Sequence, residues 1–121
     1  MEAKWVDRSP QAVQACHELL LWMIPLLQKF PRSHRFTLGE RMENVLLAVL
    51  ESLVAAAYSA SSEKQTLLKR ANTKLEILRH LWRLAFELKI IPVRRFEHGA
   101  KLMDQLGRQI GGWLRSRRTS S

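Results

Sequence analysis

The chain has 121 residues, 46% of them apolar, which suits one domain with a real core and leaves little room for a second. Its 20 Lys and Arg against 11 Asp and Glu give a formal net charge of +9, which favours an anionic partner: nucleic acid first, then an acidic protein, then a membrane surface. A single cysteine, Cys16, excludes an internal disulfide and a thiolate metal cluster and fits a reducing cytoplasm.

The opening Met1-Glu2-Ala3-Lys4-Trp5-Val6-Asp7 lacks the basic-then-apolar order of a secretory signal. The longest apolar run, Leu19 to Leu27, contains Pro25 and falls well short of the about twenty residues a membrane span needs, so a soluble cytoplasmic protein is expected.

The first helix is expected over residues 10–30, with Ser9 as N-cap and Pro10 at the first helical position. Ala12, Cys16, Leu19, Leu20, Met23 and Leu27 recur there at helical spacing, and Pro25 must kink the helix or remove a backbone bond. The polar stretch Pro31 to Thr37 connects it to a second helix over 38–58, for which Thr37 and Glu40 form a capping box. Met42, Val45, Leu46, Val49, Leu50, Leu53 and Ala57 supply its apolar face. Its narrow polar stripe (Glu40, Asn44, Glu51) suggests burial on more than one side.

After Ser59-Ala60-Ser61-Ser62, a box of Ser62 and Gln65 opens a third helix over 63–89. Leu67, Leu68, Ala71, Leu75, Leu78, Trp82 and Ala85 form its core face. A second apolar strip (Ile77, Leu81, Leu84, Leu88) lies roughly 100° round the helix, more than one bundle core requires and suited to a partner subunit. Pro92 ends that helix, and the fourth runs over 93–115 with Phe96, Met103, Leu106, Ile110, Trp113 and Leu114 inward. A basic tail, 116–121, is expected to fray. Short connections between four helices predict one all-α domain, an up-and-down antiparallel four-helix bundle.

No enzyme is expected. His17, His34, His80 and His98 stand in no metal-ligand spacing, and neither a Gly-rich phosphate loop nor a nucleophile elbow occurs. His34 with Arg32 and Arg35 is the one set open to a nuclease reading, and it lacks convergent groups around it. No cofactor or metal is implied.

The charge is unevenly placed: the excess over neutrality falls entirely in residues 63–121. Arg94, Lys101, Arg108 and Arg115 recur every seven residues and make one basic stripe on the fourth helix, continued by Arg117 and Arg118. Such a ladder suits phosphates, or equally a solvated face in which Glu97 and Asp104 pair with the cations. On the third helix, Lys69, Arg79 and Arg83 take one flank and Arg70 with Lys74 the other. Arg79 and Arg83 are like-charged i,i+4 neighbours, explained by an anion lying across them or by salt bridges to Glu76 and Glu87. Arg32, His34, Arg35 and Arg41 gather round the first connection, to hold an anion or to pair with Glu40 or Glu43. Gly107 and Gly111 lie one turn apart and suit the close approach of another backbone, with Trp82 and Trp113 as core or interface residues.

Three segments carry a resemblance to a known family: Phe30-Pro31-Arg32-Ser33-His34-Arg35-Phe36, Leu78-Arg79-His80-Leu81-Trp82-Arg83-Leu84, and Leu106-Gly107-Arg108-Gln109-Ile110-Gly111-Gly112-Trp113-Leu114. In order and spacing the chain resembles, from Val13 to Arg115, the accessory variability determinant (Avd) proteins of diversity-generating retroelements. These share a four-helix superfamily with proteins encoded in intervening sequences of bacterial 23S rRNA genes. The resemblance implies a pentameric ring of four-helix protomers, association with the retroelement reverse transcriptase, and RNA or DNA bound on a basic surface in support of mutagenic retrohoming. It maps that surface to Arg32, His34, Arg35, Arg79, Arg83 and Arg108. The alternatives are an rRNA intervening-sequence type of protein and a structural ring that recognises an acidic protein.

Overall fold

The computed structural model describes residues 11–120, the side chains of Ser61 and of 117–120 aside. Among the described residues there are four long helices and no strand: α1 (Gln11–Leu27), α2 (Glu40–Tyr58), α3 (Ser61–Glu87) and α4 (Val93–Ser120). Each packs on its neighbours in sequence, and α1 closes the bundle against α4. The direction follows from cross-helix pairs. Leu75 and Arg79 of α3 lie beside Gly107 and Asp104 of α4, whereas Trp82 and Phe86, further along α3, meet Gly99 and Phe96. Neighbouring helices therefore run antiparallel, up-down-up-down, as the short connections require. None of the described helices is long and apolar enough to cross a membrane.

Every inward residue expected on α1 is buried, and one core cluster runs from Ala12 and Cys16 through Leu46, Leu75 and Trp82 to Ile110. Burial pushes the Cys16 thiol up to about 12, so it packs as a neutral, small apolar group. Pro25 lies inside α1 on its exposed side. Its missing N–H leaves the carbonyl of Leu21 without the usual partner, and Leu21 is itself exposed, so water can take that role.

The helix ends differ from the expected ones. Ser9 and Pro10 lie outside the described residues. Neither capping box forms, because both starting points fall earlier than the Ser/Thr signals suggest. A helical turn Arg32–His34 and a π-helical turn Arg35–Gly39 run straight into α2, so Thr37 sits inside a helical stretch. Its hydroxyl donates back to the His34 carbonyl, 3.4 Å away, and has no helix-opening N–H to accept. On α3 the N-cap is Ala60, two residues before Ser62. The end of α2 is held from the other side: Lys64 Nζ donates to the Ala56 carbonyl at 2.7 Å, placing a cation on the negative pole of that helix.

The third helix closes at Glu87 with a Schellman turn. Lys89 N donates to the Phe86 carbonyl and Ile90 N to that of Ala85, both at 2.9 Å, while Lys89 takes a φ of 63°. The fourth helix continues to Ser120, past the end expected at 115, so the basic tail extends the helix.

Two glycines of α4 set its distance from α3. Trp82 is fully buried and its Nε1 donates to the Phe96 carbonyl at 2.9 Å. A Cβ on Gly99 would stand 2.7 Å from three atoms of that indole. Gly107 leaves room for the Arg79 guanidinium, since a Cβ there would meet Nη2 at 2.6 Å. The small residues thus admit side chains of α3, and the close backbone approach expected at Gly107 and Gly111 does not occur; near Gly111 the close group is Arg115 of the same helix.

In an exposed helix, Gly→Ala stabilises by about 1 kcal/mol. Gly99→Ala should do the reverse, because the buried indole cannot swing aside, and cost about 1–3 kcal/mol of overpacking. Urea denaturation followed by circular dichroism measures the sign directly.

Candidate nucleic-acid interface

Three of the four residues of the second apolar strip of α3 stay outside the core: Ile77, Leu84 and Leu88 are 41%, 44% and 49% exposed. Leu81 is half-buried and packs against the core. Leu84 and Leu88 wall a groove against the start of α2 whose other side is formed by His34, Phe36, Leu38 and Arg41. Phe36, delivered by the π-turn, is 65% exposed.

The α3–α4 face holds the ion pairs. Arg79 Nη1 pairs with Asp104 Oδ1 across the two helices, and Nη2 donates to the Met103 carbonyl at 3.3 Å. Arg79 Nε lies 3.1 Å from Glu76 Oε2, yet off the N–H direction, so that contact is one of charge and not a hydrogen bond. The guanidinium thus ties α4 to α3 through the Gly107 gap. Arg83 pairs with Glu87 at 3.0 Å in the open. Glu76 and Glu87 are the intramolecular partners that the sequence leaves open for this like-charged pair; Asp104 is an addition made by the packing of α4.

Asp104 pairs with Arg79 and, among the described residues, with neither Lys101 nor Arg108 of its own helix. Arg94, Lys101 and Arg108 are exposed, on the far side of α4 from its buried line Gly99, Met103, Leu106 and Ile110. Among the described residues none of the three makes an ion pair, with Glu97 or any other acid. Arg115, next on the stripe, is also exposed; the side chains of Arg117 and Arg118 lie outside the described residues. Lys69 and Arg70 are exposed near the start of α3, and Lys74, half-buried, lies one turn further on.

Topology sorts the remaining cations. The α1–α2 and α3–α4 connections share one end of the bundle, so Arg32, His34 and Arg35 lie at the same end as Arg94. Arg32 and Arg35 are exposed and His34 half-buried. Arg35 is oriented by two contacts: its Nε donates to the Phe30 carbonyl at 3.2 Å, and its guanidinium stands 5.9 Å from the centre of the Phe36 ring. Lys69, Arg70 and Arg115 fall at the opposite end. The cations therefore form a ridge along α4 with a cluster at each end, not one compact patch.

Sequence reasoning missed the residues beside Arg94. Trp22 of α1 with Pro92, Arg94, Arg95 and His98 lines a groove of about 660 Å³. Adjacent arginines just after a helix-opening proline, with no acid in the first turn, were the available signal. That α1 supplies a tryptophan to them follows only from the packing.

A family model described as bAvd-like matches residues 12–117 of the chain. No curated protein matches it. The match takes in all of α2 and α3, almost all of α1, and α4 as far as residue 117, within the basic tail.

The difference between the two α3 arginines is measurable. Arg79→Ala removes a cross-helix pair, a carbonyl hydrogen bond and packing over Gly107, and should cost about 1–2 kcal/mol. Arg83→Ala, losing one exposed i,i+4 pair, should stay within about 0.5 kcal/mol. Equal losses in urea denaturation would contradict this assignment.

Proposed function

The chain belongs to the bAvd-like family, and on that premise we propose that it is a non-enzymatic accessory protein of a diversity-generating retroelement. It holds template RNA or cDNA on its basic surface and associates with the reverse transcriptase during mutagenic retrohoming. The observation that carries the nucleic-acid part is the α4 ridge, where Arg94, Lys101 and Arg108 are exposed and make no ion pair among the described residues. Cations left without an acid along one helix face are available to phosphates, whose binding releases counterions. Arg79 takes a different role here from the one its position in the sequence suggests: it maintains the α3–α4 contact, and its charge is already met by Asp104 and Glu76.

The protomer acts within a homo-oligomer, a pentameric ring by analogy with the resembled family. The exposed strip Ile77, Leu84 and Leu88 supports assembly, since side chains of this size at helical spacing gain by burial against a second copy. In a ring the ridges repeat, and weak phosphate contacts combine into avidity.

Two variants test the two parts. Arg94, Lys101 and Arg108 changed together to Gln should lower the slope of log affinity against log salt by about three, with helicity unchanged. An unchanged slope removes the ridge from the interface. Leu84→Glu with Leu88→Glu should reduce the solution mass, measured by light scattering, to that of a folded protomer of 14.1 kDa. A folded double variant of unchanged mass would remove that strip from the assembly contact.

A further inference from the structure

The Trp22 groove differs from the rest of the basic surface in having an aromatic wall. Trp22 is half-buried and its orientation is fixed from behind: its ring meets Trp82 edge-on, with centres 5.9 Å apart and planes at 67°. Trp82 is in turn anchored by the Phe96 carbonyl and by the absence of a side chain at Gly99. His98 leans on the same indole, with ring centres 4.8 Å apart. Pro92 adds a rigid apolar wall, and Arg94 and Arg95, both exposed, stand at the rim. Among the described residues neither guanidinium has an ion-pair partner; Glu97, the nearest acid in sequence, pairs with neither. The first acceptor bond of α4 runs from Phe96 N to the Pro92 carbonyl, which leaves the amides of residues 93–95 without helical partners beside the same two arginines.

We infer that this groove seats one nucleotide of a single strand, its base against Trp22 and its phosphate between Arg94 and Arg95. A bare phosphate would use the cations but not the indole, imidazole and proline that make up the walls. A duplex offers phosphates but keeps its base faces stacked inside. An unpaired nucleotide presents both a planar aromatic face and an anion, matching the two chemistries that meet here. The volume, about 660 Å³, falls in the range of about 300–1,000 Å³ usual for small-molecule sites. The inference rests on the nucleic-acid reading above and adds to it a preference for single strands and a stacking residue.

The test is fluorescence anisotropy with a labelled oligothymidine and a labelled duplex of equal length, at fixed salt. Trp22→Leu should weaken single-strand binding about tenfold or more, in line with loss of one base–aromatic stack, and leave duplex affinity within about twofold. Trp22→Phe should keep most of the single-strand affinity, and Arg95→Gln should lower it with no change in helicity. An independent measurement uses the unaltered protein, photo-crosslinked to an oligonucleotide carrying 5-iodouracil. The adduct should map to the peptide that contains Trp22. Trp22→Leu binding single strands as tightly as the parent, or an adduct confined to other peptides, overturns the site while leaving general nucleic-acid binding in place. An unaltered protein that binds neither probe overturns both readings together.

Discussion

The approach of α3 to α4 depends on where α4 carries no side chain. At Gly99 the bundle accepts the flat of Trp82, and at Gly107 it accepts the Arg79 guanidinium, which reaches across to Asp104. The first contact buries the largest side chain of the core and gives its N–H a carbonyl to donate to. The second engages one of the two acids on α4, the helix with the most exposed cations. With Asp104 held from α3, the outer ridge is left with Glu97 alone against Arg94, Lys101 and Arg108. A packing arrangement and a charge distribution thus share one cause. The same indole that seals the core also fixes Trp22, so the aromatic wall of the α1–α4 groove depends on it too.

Electrostatics explains why the ridge is tolerated. Isolated surface cations cost little when water and salt screen them, and the antiparallel topology spreads them along α4 and to both ends. Such a surface follows an extended anion better than it encloses a compact one. This suits the strand of nucleic acid proposed above as the partner of this bAvd-like family member. The apolar strip on α3 lies to the other side of that helix from Arg79, so assembly through the strip leaves the α3–α4 face and the ridge outside the contact.

Much of the fold was legible because helical periodicity is a strong signal over long segments. Ala12 through Leu27, Leu68 through Ala85 and Met103 through Ile110 are buried as their spacing requires. Of the strip Ile77, Leu81, Leu84 and Leu88, all but Leu81 stay exposed and were legible for the same reason, as an apolar line beyond one core; Leu81 packs against the core instead. The ends were not. A Thr or Ser three residues before Glu or Gln reads as a cap only if the helix starts there, and at Thr37 a π-turn had already begun it. At the start of α3, Ala60 holds the cap position with no side-chain bond at all. For the charged residues, spacing along one helix showed that Arg79 had a like-charged neighbour but not that Asp104, twenty-five positions away, would meet it. Gly99 passed unnoticed although a glycine within a helix carries a cost that calls for a close neighbour. The Trp22 groove joins residues seventy positions apart, and no local pattern connects them.

The most direct measurement is the affinity of the purified protein for single-stranded RNA across a series of salt concentrations. Binding that weakens steeply and linearly in log salt, with a slope equivalent to several phosphates, is the expected result for a surface of unpaired cations. Weak binding at low salt, or an affinity indifferent to salt, would contradict it and turn attention to an acidic protein as the partner of the ridge.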